Sequence, residues 1–244
     1  MKAIAGAYLA AVAATVIGCV SMSAMPGMDM PGGWTMSMMW MRMPGQTWPG
    51  AAAEFIGMWS VMMVAMMLPV VMPRLLAYRR RLHDRAGANV LAASFAYFAV
   101  WTLLGALVYP VGVAFAELTM RIPALASAVP SLTAICIAAA GVMQLTPWKQ
   151  RTLAACRATQ DCCAPPAAPR SAWLEGTRLG WQCVQCCSNF TALLLVLGVM
   201  DLRAMLLVTG CIAIERLAPA GERWARGIGV VLIASAFWVM ATSG

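Results

Sequence analysis

Along most of the chain, apolar positions do not alternate with polar ones but run on. Seven nearly uncharged runs stand out, at about 4–20, 51–73, 90–115, 131–147, 183–200, 204–217 and 227–242. About 20 apolar residues at ~1.5 Å rise each cross a ~30 Å hydrocarbon core. Lipid offers bare peptide groups no partner, so each span must be helical. The pattern predicts an all-α, polytopic membrane bundle of about seven transmembrane helices, the sixth run being the shortest. Residues 1–20 read as a first transmembrane helix or signal anchor, 21–50 as an extracytoplasmic Met-rich loop, and 51–244 as a six-helix bundle. Within the bundle, 148–182 reads as a cytoplasmic loop, because Pro165, Pro166 and Pro169 deny it a long helix.

Composition agrees. The chain is 62% hydrophobic and 11% charged, with mean hydropathy +0.77, whereas soluble domains are nearer half apolar and a quarter charged. The net charge of +8 follows from topology. With a cytoplasmic N-terminus, Lys2, Arg74, Arg79, Arg80, Arg81, Arg85, Lys149, Arg151, Arg157, Arg170, Arg178, Arg216, Arg223 and Arg226 all fall inside. Arg42, Arg121 and Arg203 fall outside. This is the positive-inside bias of a bacterial inner-membrane protein, so the basic charge calls for no nucleic-acid partner. The lipid bilayer itself is the expected partner, and Val16-Ile17-Gly18-Cys19 also resembles a lipoprotein cleavage box, with Cys19 as the acylated residue. The single His excludes sites needing several imidazoles, and no phosphate-cradling G-x-x-x-x-G-K-[ST] run or other catalytic motif is found, so no enzyme is expected.

Sulfur changes the picture. There are 21 Met and 9 Cys. Met22, Met25, Met28, Met30, Met36, Met38, Met39, Met41 and Met43 fall in a Pro/Gly-rich segment that reads as a flexible loop. Met usually fills gaps in a core, and a water-exposed loop has none to fill. Thioethers are soft, neutral ligands that suit copper(I) and suit Mg(II) or Zn(II) badly. Met25, Met28, Met30, Met36, Met38 and Met39 are therefore candidate copper(I) ligands. The second run carries Met58, Met62 and Met66 on one helix face, with Met63 and Met67 beside them. These read equally as lipid-span packing or as a ladder of weak, exchangeable sites. Pro69 and Pro73 are expected to kink or end that helix.

Cys183, Cys186 and Cys187 share one helix face near the expected cytoplasmic side, and Cys156, Cys162 and Cys163 fall in the adjoining loop. That compartment disfavours structural disulfides. Metal ligation, thiol redox chemistry and packing remain as readings. Zinc stays open, since Cys183 and Cys186 have C-x-x-C spacing. Cys136 and Cys211, isolated in apolar runs, read as small hydrophobes. Gln144, Asn189 and Glu215 are the polar residues in the spans best placed for a role.

Several segments together resemble a bacterial family of polytopic membrane proteins described as predicted metal-binding integral membrane proteins. They are Trp59-x-x-Met62-x-x-Ala65-Met66-Met67-Leu68-Pro69, Gln144-Leu145-Thr146-Pro147 with Lys149, and Cys156-Arg157. Gly180-x-x-Cys183-x-x-Cys186-Cys187, Gly198-Val199-Met200, and Glu215 with Pro219-x-Gly221 complete the set. The resemblance implies a helical bundle with a metal site at Cys156, Cys183, Cys186 and Cys187. The chain departs from the family pattern at Thr152, where a second Cys is usual, and at Gln185, Ser188 and Asp201.

The expected function is soft-metal binding, with copper(I) as cargo, in acquisition, transfer or delivery. A copper carrier or a membrane oxidase or monooxygenase is the expected partner. The alternatives are a membrane thiol-disulfide oxidoreductase, or a non-catalytic subunit of a larger membrane complex.

Overall fold

The computed structural model describes residues 2–24, 27–43, 45–81, 86–158 and 171–242. Eight α-helices carry the described fold: α1 (Lys2–Ser23), α2 (Trp48–Arg81), α3 (Ala86–Arg121), α4 (Pro123–Leu145), α5 (Pro147–Ala158), α6 (Ala172–Leu197), α7 (Leu202–Leu217) and α8 (Gly221–Thr242). Six of them (α1, α2, α3, α4, α6 and α8) are long and apolar enough to cross a membrane. The protein is therefore multi-pass, and large side chains such as Phe95 and Trp238 stay largely exposed on its flanks. α7, the sixth expected span, has 16 residues. At ~1.5 Å per residue it covers roughly 24 Å, yet it runs from the end of the bundle where Met200 lies beside the Met-rich segment to Lys149 of α5 at the other end.

α2 does not stop at its prolines. It continues through Pro69 and Pro73 to Arg81, because a helix packed among others can have its freed carbonyls satisfied by its neighbours. The stretch 148–182 is also more helical than expected: it contains α5 and the first turns of α6. Only 159–170, with the prolines and with Cys162 and Cys163, lies outside the described residues.

Glycines set the helix spacing. A Cβ on Gly176 would meet the Ala93 carbonyl oxygen at 2.2 Å, and one on Gly180 the Tyr97 carbonyl oxygen at 3.0 Å, so α6 lies directly on the backbone of α3. Gly105 on α3 leaves room for the Trp59 indole of α2, whose Nε1 donates to the Trp101 carbonyl at 2.9 Å. The core lies among α2, α3 and α6, around Trp59, Met62, Tyr97, Trp101 and Phe190. α6 ends at Gly198, which has φ +115°. Asp201 then caps α7, accepting from the amides of Arg203 at 2.8 Å and Ala204 at 3.4 Å. Asp is among the residues preferred at a helix N-cap.

The Met-rich segment is ordered where it is described, contrary to the flexible loop expected. Met28–Met30 (β1) and Trp34–Met36 (β2) pair antiparallel, with Met30 opposite Trp34. A 3₁₀ turn follows at Met38–Trp40. Gly32 and Gly33 supply the positive φ of the turn. Two tryptophans pin the segment down: Trp34 Nε1 donates to the Ala126 carbonyl at 2.8 Å, and Trp40 fills the notch at Gly112. This end of the bundle is called the loop end. The opposite end, where α2 ends and α5 lies, is the basic end.

Candidate metal centre

The motif fragments scattered from Gln144 to Gly221 converge at the basic end. α4 breaks at Thr146 and restarts at Pro147 as α5, which packs against α6 and reaches α7. Lys149 of α5 is thereby buried. Its ammonium lies 2.9 Å from the Glu215 carboxylate, donates to the Cys186 carbonyl at 2.7 Å, and sits 5.0 Å over the Phe190 ring. Gln144 donates to the other Glu215 oxygen. Arg157 donates to the backbone carbonyls of Glu215 and Pro219, both at 2.9 Å. A Cβ on Gly221 would strike that same Glu215 oxygen, so the glycine admits the clamp.

Beside this ion pair lie four buried thiols: Cys156 on α5 and Cys183, Cys186 and Cys187 on α6. Successive contacts link the sulfurs in the order Cys183, Cys187, Cys186, Cys156, the thiol line. Cys183 and Cys187 are 4.0 Å apart, Cys186 contacts both Cys187 and Cys156, and Cys156 donates to the Gln182 carbonyl at 3.5 Å. The described cysteines are all thiols. Among the described residues, no three Cys, His, Asp or Glu side chains form a preformed metal cage. A tetrahedral zinc site asks for four donors around one point, and the described residues do not preform one. Two-coordinate binding between neighbouring thiolates needs a sulfur separation of roughly 4.6 Å, twice a metal–sulfur bond of ~2.3 Å. Small rotations of Cys183 and Cys187 would reach it.

The surroundings are cationic. Arg216 Nη1 donates to the Cys183 sulfur at 2.8 Å, and the Tyr97 hydroxyl donates to the same atom at 3.0 Å. Arg74 of α2 is 3% exposed, and its Nε, Nη1 and Nη2 have no hydrogen-bond partner among the described residues. Its charge acts on Cys156. The hydrogen bond to Cys186, and then burial, hold the Cys156 thiol above the ordinary cysteine range, against the pull of Arg216 and Arg74. For Lys149, burial disfavours the charge, yet Cys186 and Glu215 outweigh it and raise the ammonium above the ordinary lysine value. Among the described residues, three cations, Arg74, Lys149 and Arg216, and one carboxylate, Glu215, are buried. Buried charges are stable only when compensated. Among the described residues, the Cys183 sulfur, 2.8 Å from Arg216, is one group able to supply negative charge.

The other sequence candidates fall in three places. Met62, Met63, Met66 and Met67 are buried in the core along α2. Met30 and Met36 are buried against Ala116 and Ala126 in a small separate core, and Met28 is exposed. Met38 and Met39 line a cavity of about 320 Å³ at the loop end. Met25, like Cys162 and Cys163, lies outside the described residues. Gln144, Asn189 and Glu215 are all buried, and Asn189 Nδ2 has no partner among the described residues. Cys136 is exposed and Cys211 half-buried, apart from the thiol line.

Sequence reasoning missed Arg74, Arg216 and Tyr97. The first two read as topology charges, although Arg216 directly follows Glu215, and a charged pair inside an apolar run is itself a signal. Tyr97 offered only a hydroxyl within a long apolar span.

The described fold is a multi-pass helical bundle that gathers buried thiols among buried guanidinium groups. A family model described as PpoB2, copper chaperone, matches residues 56–239. The chain belongs to that copper chaperone family. No curated protein and no solved structure matches it.

Proposed function

We propose that the protein is a copper(I) chaperone of the bacterial inner membrane, with its N-terminus in the cytoplasm. Its cargo sits on the thiols of Cys156, Cys183, Cys186 and Cys187. The observation that carries this reading is the line of four buried sulfurs facing Arg216 and Arg74. Thiolates select copper(I) over harder ions, and the guanidinium groups favour the anionic ligands that copper(I) takes. A line of two-coordinate positions also passes an ion from one pair to the next, where a closed cage would trap it. Chaperoning requires such exchange.

Met62, Met63, Met66 and Met67 lie along the same helix that carries Arg74, and they extend soft, neutral ligands from the thiols toward the loop end. Copper(I) binds thiolate more tightly than thioether, so the gradient favours movement toward the basic end. Delivery to a membrane oxidase or monooxygenase, or to a cytosolic thiol carrier, completes the path.

The test is growth under copper limitation. Cells carrying only a chain with Cys183, Cys186 and Cys187 replaced by Ser should lose copper-enzyme activity as the deletion strain does, and added copper should restore it. Activity unchanged in that strain would refute the reading. Trapping of a mixed disulfide at Cys186 would favour an oxidoreductase instead, although the burial of that thiol argues against partner access.

A further inference from the structure

We infer that the cavity at the loop end is a second, thioether-based site for a monovalent soft cation, copper(I) or silver(I), separate from the thiol line. This rests on the copper reading for its biological cargo. Its chemistry stands on other residues.

Four segments remote in sequence bring thioethers to one space of about 320 Å³. Met22 comes from the end of α1, Met39 from the 3₁₀ turn, Met58 from α2, and Met200 from the turn before α7. Met38, Met41 and Met43 complete the sulfur lining. Methionine in a core fills space, whereas these side chains border a cavity among the described residues. The arrangement is also permitted by a particular neighbour. A Cβ on Gly18 would lie 1.7 Å from Met58 Cε, so glycine at that position lets the Met58 thioether lie against α1. The next residue, Cys19, is buried with its sulfur 3.6 Å from Met205 Sδ of α7. Among the described residues that line the cavity, Glu54 is the one carboxylate. Neutral thioethers with a single carboxylate balance one positive charge, and they serve divalent ions that seek nitrogen and oxygen poorly.

The assignment moves the outer ligands away from the hairpin. Met30 and Met36, which sequence spacing nominates, pack against Ala116 and Ala126 and hold the segment in place. Met58 and Met200 take their part.

The test uses the full-length protein in detergent, labelled at the methionine ε-methyl carbons, with silver(I) alone as the probe. Silver(I) should shift the methyl signals of Met22, Met39, Met58 and Met200 and leave those of Met30 and Met36 in place. The double variant Met58→Leu, Met200→Leu keeps side-chain volume. It should weaken this binding by about tenfold or more, since losing a ligand costs at least what losing a supporting residue does. Gly18→Ala, which displaces Met58 without removing sulfur, should weaken it in the same direction. Shifts confined to Met28, Met30 or Met36, or no methyl shift at all, would overturn the site. The two claims separate cleanly. If Met methyl shifts persist in a chain whose thiols bind no copper, the cavity stands and the thiol reading falls. If the thiols bind copper while the cavity methyls stay still, the cavity inference alone is overturned.

Discussion

Arg216 of α7 places Nη1 2.8 Å from the sulfur of Cys183 on α6. A guanidinium buried to 2% exposure has few ways to be tolerated, and an anionic sulfur is one of them. The pairing explains why a charge that reads as a topology signal is drawn into the bundle. It also predicts that Arg216→Met lowers copper(I) affinity by roughly 10–100-fold, the usual effect of removing a group that supports a metal ligand. Arg216→Lys should recover part of the loss. Competition titration against a chromophoric copper(I) chelator measures both.

The Lys149–Glu215 pair makes a separate prediction about stability. Glu215→Gln leaves the ammonium buried without its counter-ion, at a cost of about 3–5 kcal/mol. The double replacement Lys149→Met, Glu215→Leu removes both charges and should cost much less. Thermal unfolding of the three proteins in the same detergent checks the order.

Helix spacing is testable at Gly176. Alanine there meets the Ala93 carbonyl oxygen at 2.2 Å, and forced overpacking costs about 1–3 kcal/mol. As α6 moves off α3, Tyr97 should part from Cys183, and alkylation of Cys183 should speed up. Gly57, whose added Cβ meets nothing within 4 Å, is the control. Gly57→Ala should leave the alkylation rate unchanged.

Orientation follows from the arginines. A cysteine at Gly33, in the hairpin, should react with a membrane-impermeant maleimide in spheroplasts. One at Arg223, at the start of α8, should react only after lysis. The reverse labelling would contradict a cytoplasmic N-terminus.

The bundle was readable because lipid imposes a simple rule: long apolar runs become helices. The thiols of α6 were readable because i, i+3, i+4 spacing puts Cys183, Cys186 and Cys187 on one face whatever else the chain does. What packing decides was not readable. α5 packs against α6 and α7, and Lys149, Arg74 and Arg216, which read as topology charges, are buried. The prolines of α2 forecast a kink or an end, and the helix runs on through both to Arg81. The hairpin of the Met segment depends on Trp34 finding Ala126 and Trp40 finding Gly112, contacts remote in sequence. Burial of Met30 and Met36 follows from those two anchors.

The account rests on copper(I) held by the buried thiols, and metal analysis with sulfur-edge and copper-edge absorption tests it most directly. Protein purified from its native membrane under reducing conditions should carry copper(I) with sulfur as its only near neighbour. Serine at Cys156, Cys183, Cys186 and Cys187 should abolish the thiolate contribution. Zinc in place of copper, or copper retained undiminished by the serine variant, would contradict it.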